Sequence, residues 1–149
     1  MSEFLEAMVD KFSFKVATDR LYTADHLWLK MEDELVLVGL TDYLQQTAGD
    51  VAFAEPRAVG ITLASGEELA NIETMKTTLD IPAPLAGVIQ AINSRLKDEP
   101  ELVNQDPYGQ GWLVKLEVSN WETVRQNLLE PDIYYEIMKA EATAEAQNQ

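Results

Sequence analysis

Apolar and polar positions alternate with two different periods, which predict a mostly β chain with helices at both ends. Over residues 2–12 the apolar positions recur at helical spacing behind Ser2, a residue that can cap a helix. These apolar positions are Phe4, Leu5, Met8, Val9 and Phe12. From Tyr22 the period shortens, and residues 26–40, HLWLKMEDELVLVGL, predict a β-hairpin around the acidic turn 32–34.

A short helix and a series of short strands follow this hairpin. Residues 41–50, TDYLQQTAGD, predict one or two helical turns, with Thr41 or Asp42 as the N-cap and Gly49 past the end. Gly- and Pro-containing turns then separate strand-like segments, which is typical of a sandwich or a partly open barrel. A loop with one helical turn near Glu99–Val103 interrupts them. The predicted strands are Val51–Glu55, Gly60–Leu63, Leu69–Met75, Thr77–Ile81, Val88–Asn93 and Trp112–Val118.

The C-terminal segment returns to a helical pattern. Ser119 and Glu122 have the spacing of a capping box, and apolar residues continue the stripe at Val124, Leu128 and Leu129. Pro131 fits the first turn of a final helix that runs through Lys139. The tail after it has little apolar surface to bury, so we expect it to fray.

No linker divides the chain, so one domain is predicted. We expect a helical N-terminal extension over residues 1–20, a β domain over 21–137, and a frayed tail over 138–149. A chain of 149 residues is long enough to bury a substantial core in such a domain.

The composition excludes several classes of function. The formal net charge of −15 repels phosphate backbones and anionic lipid headgroups, so neither nucleic acid nor a membrane is expected as a partner. The chain has no cysteine, which excludes disulfides and thiol chemistry. Its first residues lack the pattern of a secretory or transit signal, so a cytoplasmic location is expected.

Candidate catalytic chemistry is sparse, and an independent enzyme is not predicted. No nucleophile elbow, P-loop or dinucleotide fingerprint is present, and with one histidine, His26, a histidine-rich metal site is impossible. His26 has two interpretations that the sequence does not separate. It is either a hydrogen-bonded structural residue or a residue that faces a ligand or a moving prosthetic group.

The residues that carry chemistry lie in 72–80, IETMKTTLD. Too few residues separate the strands on either side of Lys76 for a crossover, so the two strands form a hairpin with Lys76 at or beside its tip. No other lysine occurs between Lys30 and Lys97. Lys76 is either a solubilising turn residue or the attachment point of a swinging arm, for which Glu73 on the same hairpin would be a recognition handle.

Four segments in the same order resemble one known family, the H-protein of the glycine cleavage system, within the lipoyl and biotinyl carrier domains. YTADHLW at 22–28 resembles Y-T-x-x-H-E-W, and VGLTDYLQQTAGDVAF at 38–53 resembles V-G-I-T-x-Y-A-Q-x-x-L-G-D-I-V-F. IETMKTTLDIPAPLAGVI at 72–89 is similar to V-E-S-V-K-A-V-S-D-L-Y-A-P-V-S-G-E-V. ELVNQDPYGQGWLVKL at 101–116 is similar to N-E-D-P-Y-G-x-G-W-L-I-K-I.

This resemblance implies a barrel-sandwich hybrid fold with short flanking helices and a non-catalytic, monomeric carrier with lipoate in amide linkage to Lys76. It implies that a lipoate-attaching enzyme reads Glu73 and Gly87, and that His26 and Asp80 contact the arm in a cleft. The implied partners are the glycine decarboxylase, the aminomethyltransferase and the dihydrolipoyl dehydrogenase, between which the arm moves an aminomethyl group.

Departures from the family pattern keep other partners open. Leu27 replaces the glutamate of H-E-W, Leu79 replaces a serine, and both ends of the chain are longer than usual. H-protein-like carriers that bring sulfur intermediates to a heterodisulfide-reductase-like complex would share the fold and the lysine. Biotin is a further alternative, although Thr77 stands where biotinyl domains have a second methionine. The last alternative is a binding or scaffold module in which Lys76 is not modified.

Overall fold

Eleven strands form three antiparallel sheets in the computed structural model, which describes residues 3–148. A six-stranded sheet has the order β3-β4-β5-β11-β10-β7, a three-stranded sheet has the order β6-β8-β9, and β1 pairs with β2. The strands are β1 (Phe4–Val9), β2 (Phe12–Ala17), β3 (Leu21–Tyr22), β4 (Leu27–Glu32), β5 (Leu35–Leu40), β6 (Val51–Pro56), β7 (Thr62–Leu63), β8 (Glu68–Thr74), β9 (Thr78–Pro82), β10 (Gly87–Ile92) and β11 (Val114–Glu117).

Helices lie between and after these strands. They are α1 (Asp42–Ala48), α2 (Leu102–Gln105), α3 (Trp121–Val124) and α4 (Pro131–Gln147), with 3₁₀ turns at Ser94–Lys97 and Arg125–Asn127. None of the described helices combines the length and apolarity needed to cross a membrane.

The six-stranded and three-stranded sheets share one hydrophobic core. Val38 and Leu116 from the larger sheet and Leu69 and Ile72 from the smaller one are fully buried within it. In β5, for example, the alternate residues Val36, Val38 and Leu40 face this core, which is the arrangement that a half-buried strand requires. The prediction of a mostly β fold is therefore confirmed.

Several local predictions are confirmed because turn chemistry fixes them. The hairpin β4–β5 turns at Asp33 and Glu34, both at positive φ. Helix α1 begins after Thr41, whose hydroxyl oxygen accepts a hydrogen bond from the backbone N–H of Leu44 at 3.2 Å, and it ends at Gly49 with φ of 95°. The predicted turn near Glu99–Val103 overlaps the start of α2.

The predicted N-terminal helix is wrong, because residues 4–17 form the hairpin β1–β2. Its turn uses Asp10 in the left-handed region, with φ of 57°. Ala7 and Val9 of β1 and Phe14 and Val16 of β2 are buried on one side of the hairpin, in the two-residue period of strands. The expected cap Ser2 lies outside the described residues.

The predictions for the C-terminal segment need two corrections. Ser119 and Glu122 form no capping box, since α3 begins after Asn120 without a side-chain cap hydrogen bond. Helix α4 continues to Gln147 rather than fraying after Lys139.

A second hydrophobic core explains the length of α4. The inner side of the β1–β2 hairpin packs against Tyr134, Met138 and Ala142 of α4, and Tyr135 donates a hydrogen bond from its hydroxyl to the carbonyl of Glu6 at 3.2 Å. Ala142 is 5% exposed. The C-terminal segment has few apolar residues, and the hairpin provides the surface against which they are buried.

We expect Ala142→Asp to lower the free energy of unfolding by about 2 kcal/mol or more, because it places an unpaired carboxylate in the second core. The matched control is Ala144→Asp on the exposed side of the same helix, which should change it by less than about 0.5 kcal/mol. Thermal and denaturant unfolding of both variants measures the difference. Equal effects would contradict the packing of α4 on the hairpin.

Candidate functional site

The β8–β9 hairpin places Lys76 in a turn that one threonine holds. The Thr74 hydroxyl accepts hydrogen bonds from the backbone N–H of Lys76 at 3.1 Å and of Thr77 at 2.9 Å, and donates to the carbonyl of Ala48 at 2.7 Å. A hydroxyl has one donor and two acceptor positions, so all of its capacity is used. The turn is therefore fixed to the hairpin and also to the end of α1.

The Lys76 side chain is exposed and lies over the end of α1. Its Nζ donates to the carbonyl oxygen of Thr47 at 3.1 Å. Among the described residues, no carboxylate lies within 4.0 Å of this amine. A Cβ added at Gly49 would be 3.5 Å from the Lys76 Cβ, which is ordinary van der Waals contact. An exposed amine bound only by a carbonyl is accessible for acylation.

Glu73 and Met75 present different chemistry beside the lysine. Glu73 lies on the exposed face of the three-stranded sheet, in register with Thr78 of β9 and Phe53 of β6. Met75 is 80% exposed, while its backbone N–H donates to the carbonyl of Asp50 at 2.9 Å. The lysine is thus flanked by a carboxylate and an apolar side chain, both accessible to a partner protein.

Gly87 is not brought to the lysine. Strand β9 leads away from the tip, and Gly87 begins β10 in the other sheet, where it pairs with Leu63. A Cβ at Gly87 would lie 2.8 Å from the carbonyl oxygen of Glu117, closer than real Cβ contacts allow. Packing between β10 and β11 is sufficient reason for a glycine here.

His26 belongs to a buried network under the second core. It is 7% exposed, with φ of 69°, and its Nδ1 lies 2.8 Å from the Tyr134 hydroxyl. Its Nε2 lies 2.5 Å from a carboxylate oxygen of Glu141. The ring packs against that of Tyr43, with centroids 4.7 Å apart. These contacts are those of a structural residue, because they join α4 to the start of β4, the strand that follows His26 in the chain.

Asp80 lies on the outer face of the three-stranded sheet. It accepts a hydrogen bond from the side-chain amide of Asn71 at 2.7 Å. A hydrogen bond with Asp80 raises the pKa of the neighbouring Glu68 carboxyl. Neither Asp80 nor His26 lines the cavity that adjoins Lys76.

That cavity has a volume of about 360 Å³ and lies between the β1–β2 hairpin, α1 and the end of α4. Lys76 is at its edge. The other lining residues are Val9, Asp10, Phe12, Phe14, Tyr43, Gln46, Thr47, Ala142, Glu145 and Ala146. The sequence did not indicate this cavity, because residues 2–12 matched a helical period. The alternation of FSFKVA at 12–17 after Asp10-Lys11 was the signal for a hairpin.

Among the described residues, no group of three or more histidine, aspartate or glutamate side chains could hold a metal ion. The arrangement is suited instead to covalent attachment. It offers one exposed amine on a rigid turn, with a mostly apolar cavity beside it.

Comparison with known proteins assigns this arrangement to a family. The family model described as glycine cleavage H-protein matches residues 20–141. A glycine cleavage system H protein of Thermus thermophilus is 43% identical over 127 residues, which cover 85% of this chain and 98% of that protein. One from Carboxydothermus hydrogenoformans is 35% identical over 126 residues, with coverages of 85% and 96%.

A solved structure has the same fold. The crystal structure of a glycine cleavage system H protein from Mycobacterium marinum superposes with a TM-score of 0.68 at 34% identity, covering 78% of this chain and 94% of that one. This match also confirms the barrel-sandwich hybrid fold that the sequence resemblance implied. The chain belongs to the glycine cleavage H-protein family.

Proposed function

We propose that the protein is a lipoyl carrier of the glycine cleavage system, with lipoate in amide linkage to the Nζ of Lys76. The observation that carries this proposal is the exposed amine of Lys76 on a turn held by Thr74, in a chain of the H-protein family. The carrier domain is assigned to residues 21–137, and the segments on either side of it are additions.

The residues around Lys76 fit this attached group. Acylation removes the positive charge of the amine, and no carboxylate of the described chain depends on that charge. The amide N–H that results still donates, so the bond to the carbonyl of Thr47 can persist. The apolar lining of the adjoining cavity suits a hydrocarbon chain. Lipoate supplies a disulfide that can be reduced and can accept a one-carbon amine unit.

The chain's own residues present the arm to other enzymes. Thr74 keeps the turn that bears Lys76 in a fixed orientation, so the arm moves relative to a rigid attachment point. A short flexible tether raises the effective concentration of its cargo at each active site into the mM range. Glu73 and Met75 are exposed beside the base and contact the enzymes that approach it.

The proposed partners are a lipoate-attaching enzyme, the glycine decarboxylase, the aminomethyltransferase and the dihydrolipoyl dehydrogenase. The net charge of −15 favours basic surfaces on these partners, with an attraction that weakens as salt is added. We propose that the carrier itself is monomeric and cytoplasmic. The sulfur-carrier alternative is not favoured, since the relatives and the solved structure reported above are all named for glycine cleavage.

We expect Lys76→Arg to abolish lipoylation and to leave the fold intact. The side chain is exposed and its contact is a single surface hydrogen bond, so the free energy of unfolding should change by less than about 0.5 kcal/mol. Intact-mass spectrometry after incubation with lipoate and a lipoate–protein ligase gives the first readout, and thermal unfolding gives the second.

The wild type is expected to gain one lipoyl adduct in this experiment. An adduct on the variant would place the modification elsewhere, and a folded wild type without one would contradict the carrier function. A biotin adduct acquired from the cell would identify a biotinyl carrier instead. A large loss of stability in Lys76→Arg would show that the lysine is a structural residue.

We expect Glu73→Ala to slow lipoylation roughly tenfold without unfolding, as when one charged contact with a partner is lost. Glu55→Ala is the matched control, because Glu55 is also an exposed carboxylate on the three-stranded sheet. Its partner in β8 is Asn71, two residues farther from the lysine than Glu73. Initial rates of adduct formation compare the two variants. Equal rates would remove Glu73 from the recognition surface.

A further inference from the structure

The end of α1 presents a run of four successive carbonyl groups, at residues 47–50, to the rest of the protein. A helix leaves its last carbonyl groups without partners inside the helix, so they need partners from elsewhere. The lysine turn binds three of the four. The acceptors are the carbonyls of Thr47, Ala48 and Asp50, and the donors are the Lys76 Nζ at 3.1 Å, the Thr74 hydroxyl at 2.7 Å and the Met75 backbone N–H at 2.9 Å.

The fourth carbonyl, that of Gly49, is bound by Asn104 of α2. The side-chain amide of Asn104 donates to this carbonyl and to the side-chain oxygen of Gln45, both at 3.0 Å. Its Oδ1 accepts a hydrogen bond from the backbone N–H of Val51 at 2.8 Å. The two backbone contacts lie on either side of Asp50, so one side chain fixes the segment 49–51 that receives the lysine turn.

This segment needs such contacts because it belongs to no regular element. It connects α1 to β6, and Gly49 has φ of 95°, in the region that favours glycine. Glycine loses more conformational freedom on folding than any other residue, so a connection that contains it keeps one conformation only if other groups hold it. Asn104 uses both of its N–H groups and its oxygen for this purpose.

Helix α2 gives Asn104 a firm support. Its neighbours Leu102 and Val103 are buried in the main core. The chain also passes close to this helix at Gly111, where an added Cβ would lie 2.5 Å from the carbonyl oxygen of Leu102. The position of Asn104 is therefore set by the core and does not depend on the lysine turn.

We infer that Asn104 is a positioning residue for the modification of Lys76. It acts through the segment 49–51, since within the described residues none of its hydrogen bonds goes to the lysine turn. The inference rests on the proposed function, because the reaction it serves is the acylation of this amine. In that step the Nζ forms a carbon–nitrogen bond with the carbonyl carbon of an activated lipoyl group, the activating group leaves, and the amine loses a proton.

The orientation of the turn matters to this reaction because the attaching enzyme binds a protein surface, not a free amine. If the turn occupies the binding orientation for only part of the time, the apparent affinity falls by that fraction. Without Asn104 the acceptor carbonyls would be free to move, and the turn would move with them. The side chain thus keeps the substrate form of the turn populated.

Asn104→Ala removes all three hydrogen bonds, and Asn93→Ala is the matched control. The Asn93 side chain also makes three hydrogen bonds, to the carbonyls of Gln110 and Trp112 and from the backbone N–H of Arg95. It is 5% exposed and holds the loop before β11 instead of the lysine turn. The two variants therefore lose the same kind of contact at different places.

Amide hydrogen exchange of the unmodified protein, followed by NMR, measures first how firmly the turn is held. The Met75 amide lies in an exposed turn, which exchanges through local opening. Its protection is expected to fall about tenfold in Asn104→Ala, the factor that corresponds to the net free energy of one hydrogen bond. In Asn93→Ala it should stay within about twofold of wild type, as for a distant and independent site.

Initial rates of lipoylation with lipoate, ATP and a lipoate–protein ligase give the second readout. In Asn104→Ala kcat/KM for the protein substrate is expected to fall at least about tenfold, since a displacement of about 1 Å can cost a hundredfold. Asn93→Ala should keep the wild-type value. If the alanine variant does not fold, Asn104→Asp carries the same test, because it keeps the acceptor towards Val51 and loses both donated bonds.

Thr74→Val tests the route, because it removes the bond between the turn and the carbonyl of Ala48. The double variant with Asn104→Ala is expected to lose less than the product of the two single losses, since both act on the same contact. Losses that multiply would contradict this route.

An unchanged lipoylation rate in a folded Asn104 variant, or an equal loss in Asn93→Ala, would overturn the positioning role alone. So would unchanged protection of the Met75 amide. A folded wild type that gains no lipoyl adduct would overturn the proposed function and, with it, the reaction that Asn104 serves.

Discussion

The position of Lys76 depends on the three hydrogen bonds of the Thr74 hydroxyl. Its two accepted hydrogen bonds close the turn that bears Lys76, and its donated bond joins that turn to the end of α1. The turn is thereby attached to the barrel at two places, through β8 and through α1. A swinging arm needs a fixed attachment point, because the positions that the tip can reach are defined only if the attachment point does not move. The exposed amine of Lys76 follows from this geometry.

The two chain ends build a second layer on this base. The hairpin β1–β2 and helix α4 share a hydrophobic core with Tyr22, Trp28 and Tyr43, separate from the core between the two large sheets. His26 adds polar contacts across it, through Tyr134 and Glu141. Both ends contribute side chains to this core, so each end stabilises the other. The two ends meet next to Lys76, so they change the surroundings of this side chain.

The sequence predicted the elements that local chemistry determines. The hairpin around Asp33, helix α1 after Thr41 and the lysine turn follow from turn residues, caps and strand alternation within about ten residues. The N-terminal hairpin was missed because the apolar positions of residues 2–12 also fit a helical period, although residues 12–17 alternate as a strand does. Ala142 gave no signal, since a small side chain is buried only where a partner approaches closely.

In the candidate site, too, the sequence predicted the features that lie on one local element and missed those that distant segments form together. The lysine tip and Glu73 lie on one hairpin, so their proximity could be read from spacing. The cavity could not, because its walls come from residues separated by more than a hundred positions, such as Asp10 and Glu145. Gly87, which the family resemblance marks as a recognition position, also has a packing role, because a Cβ there would lie 2.8 Å from the carbonyl oxygen of Glu117.

The most direct measurement is glycine-dependent reduction of NAD⁺ in a reconstituted mixture of the decarboxylase, the aminomethyltransferase, tetrahydrofolate and the dihydrolipoyl dehydrogenase, with this protein as the only carrier. Turnover is expected with the lipoylated wild type and absent with the unmodified protein, because in the proposed function the amine unit and the electrons both travel on an arm at Lys76. Full turnover with the unmodified protein, or none with a fully lipoylated and folded one, would contradict a carrier role in glycine cleavage.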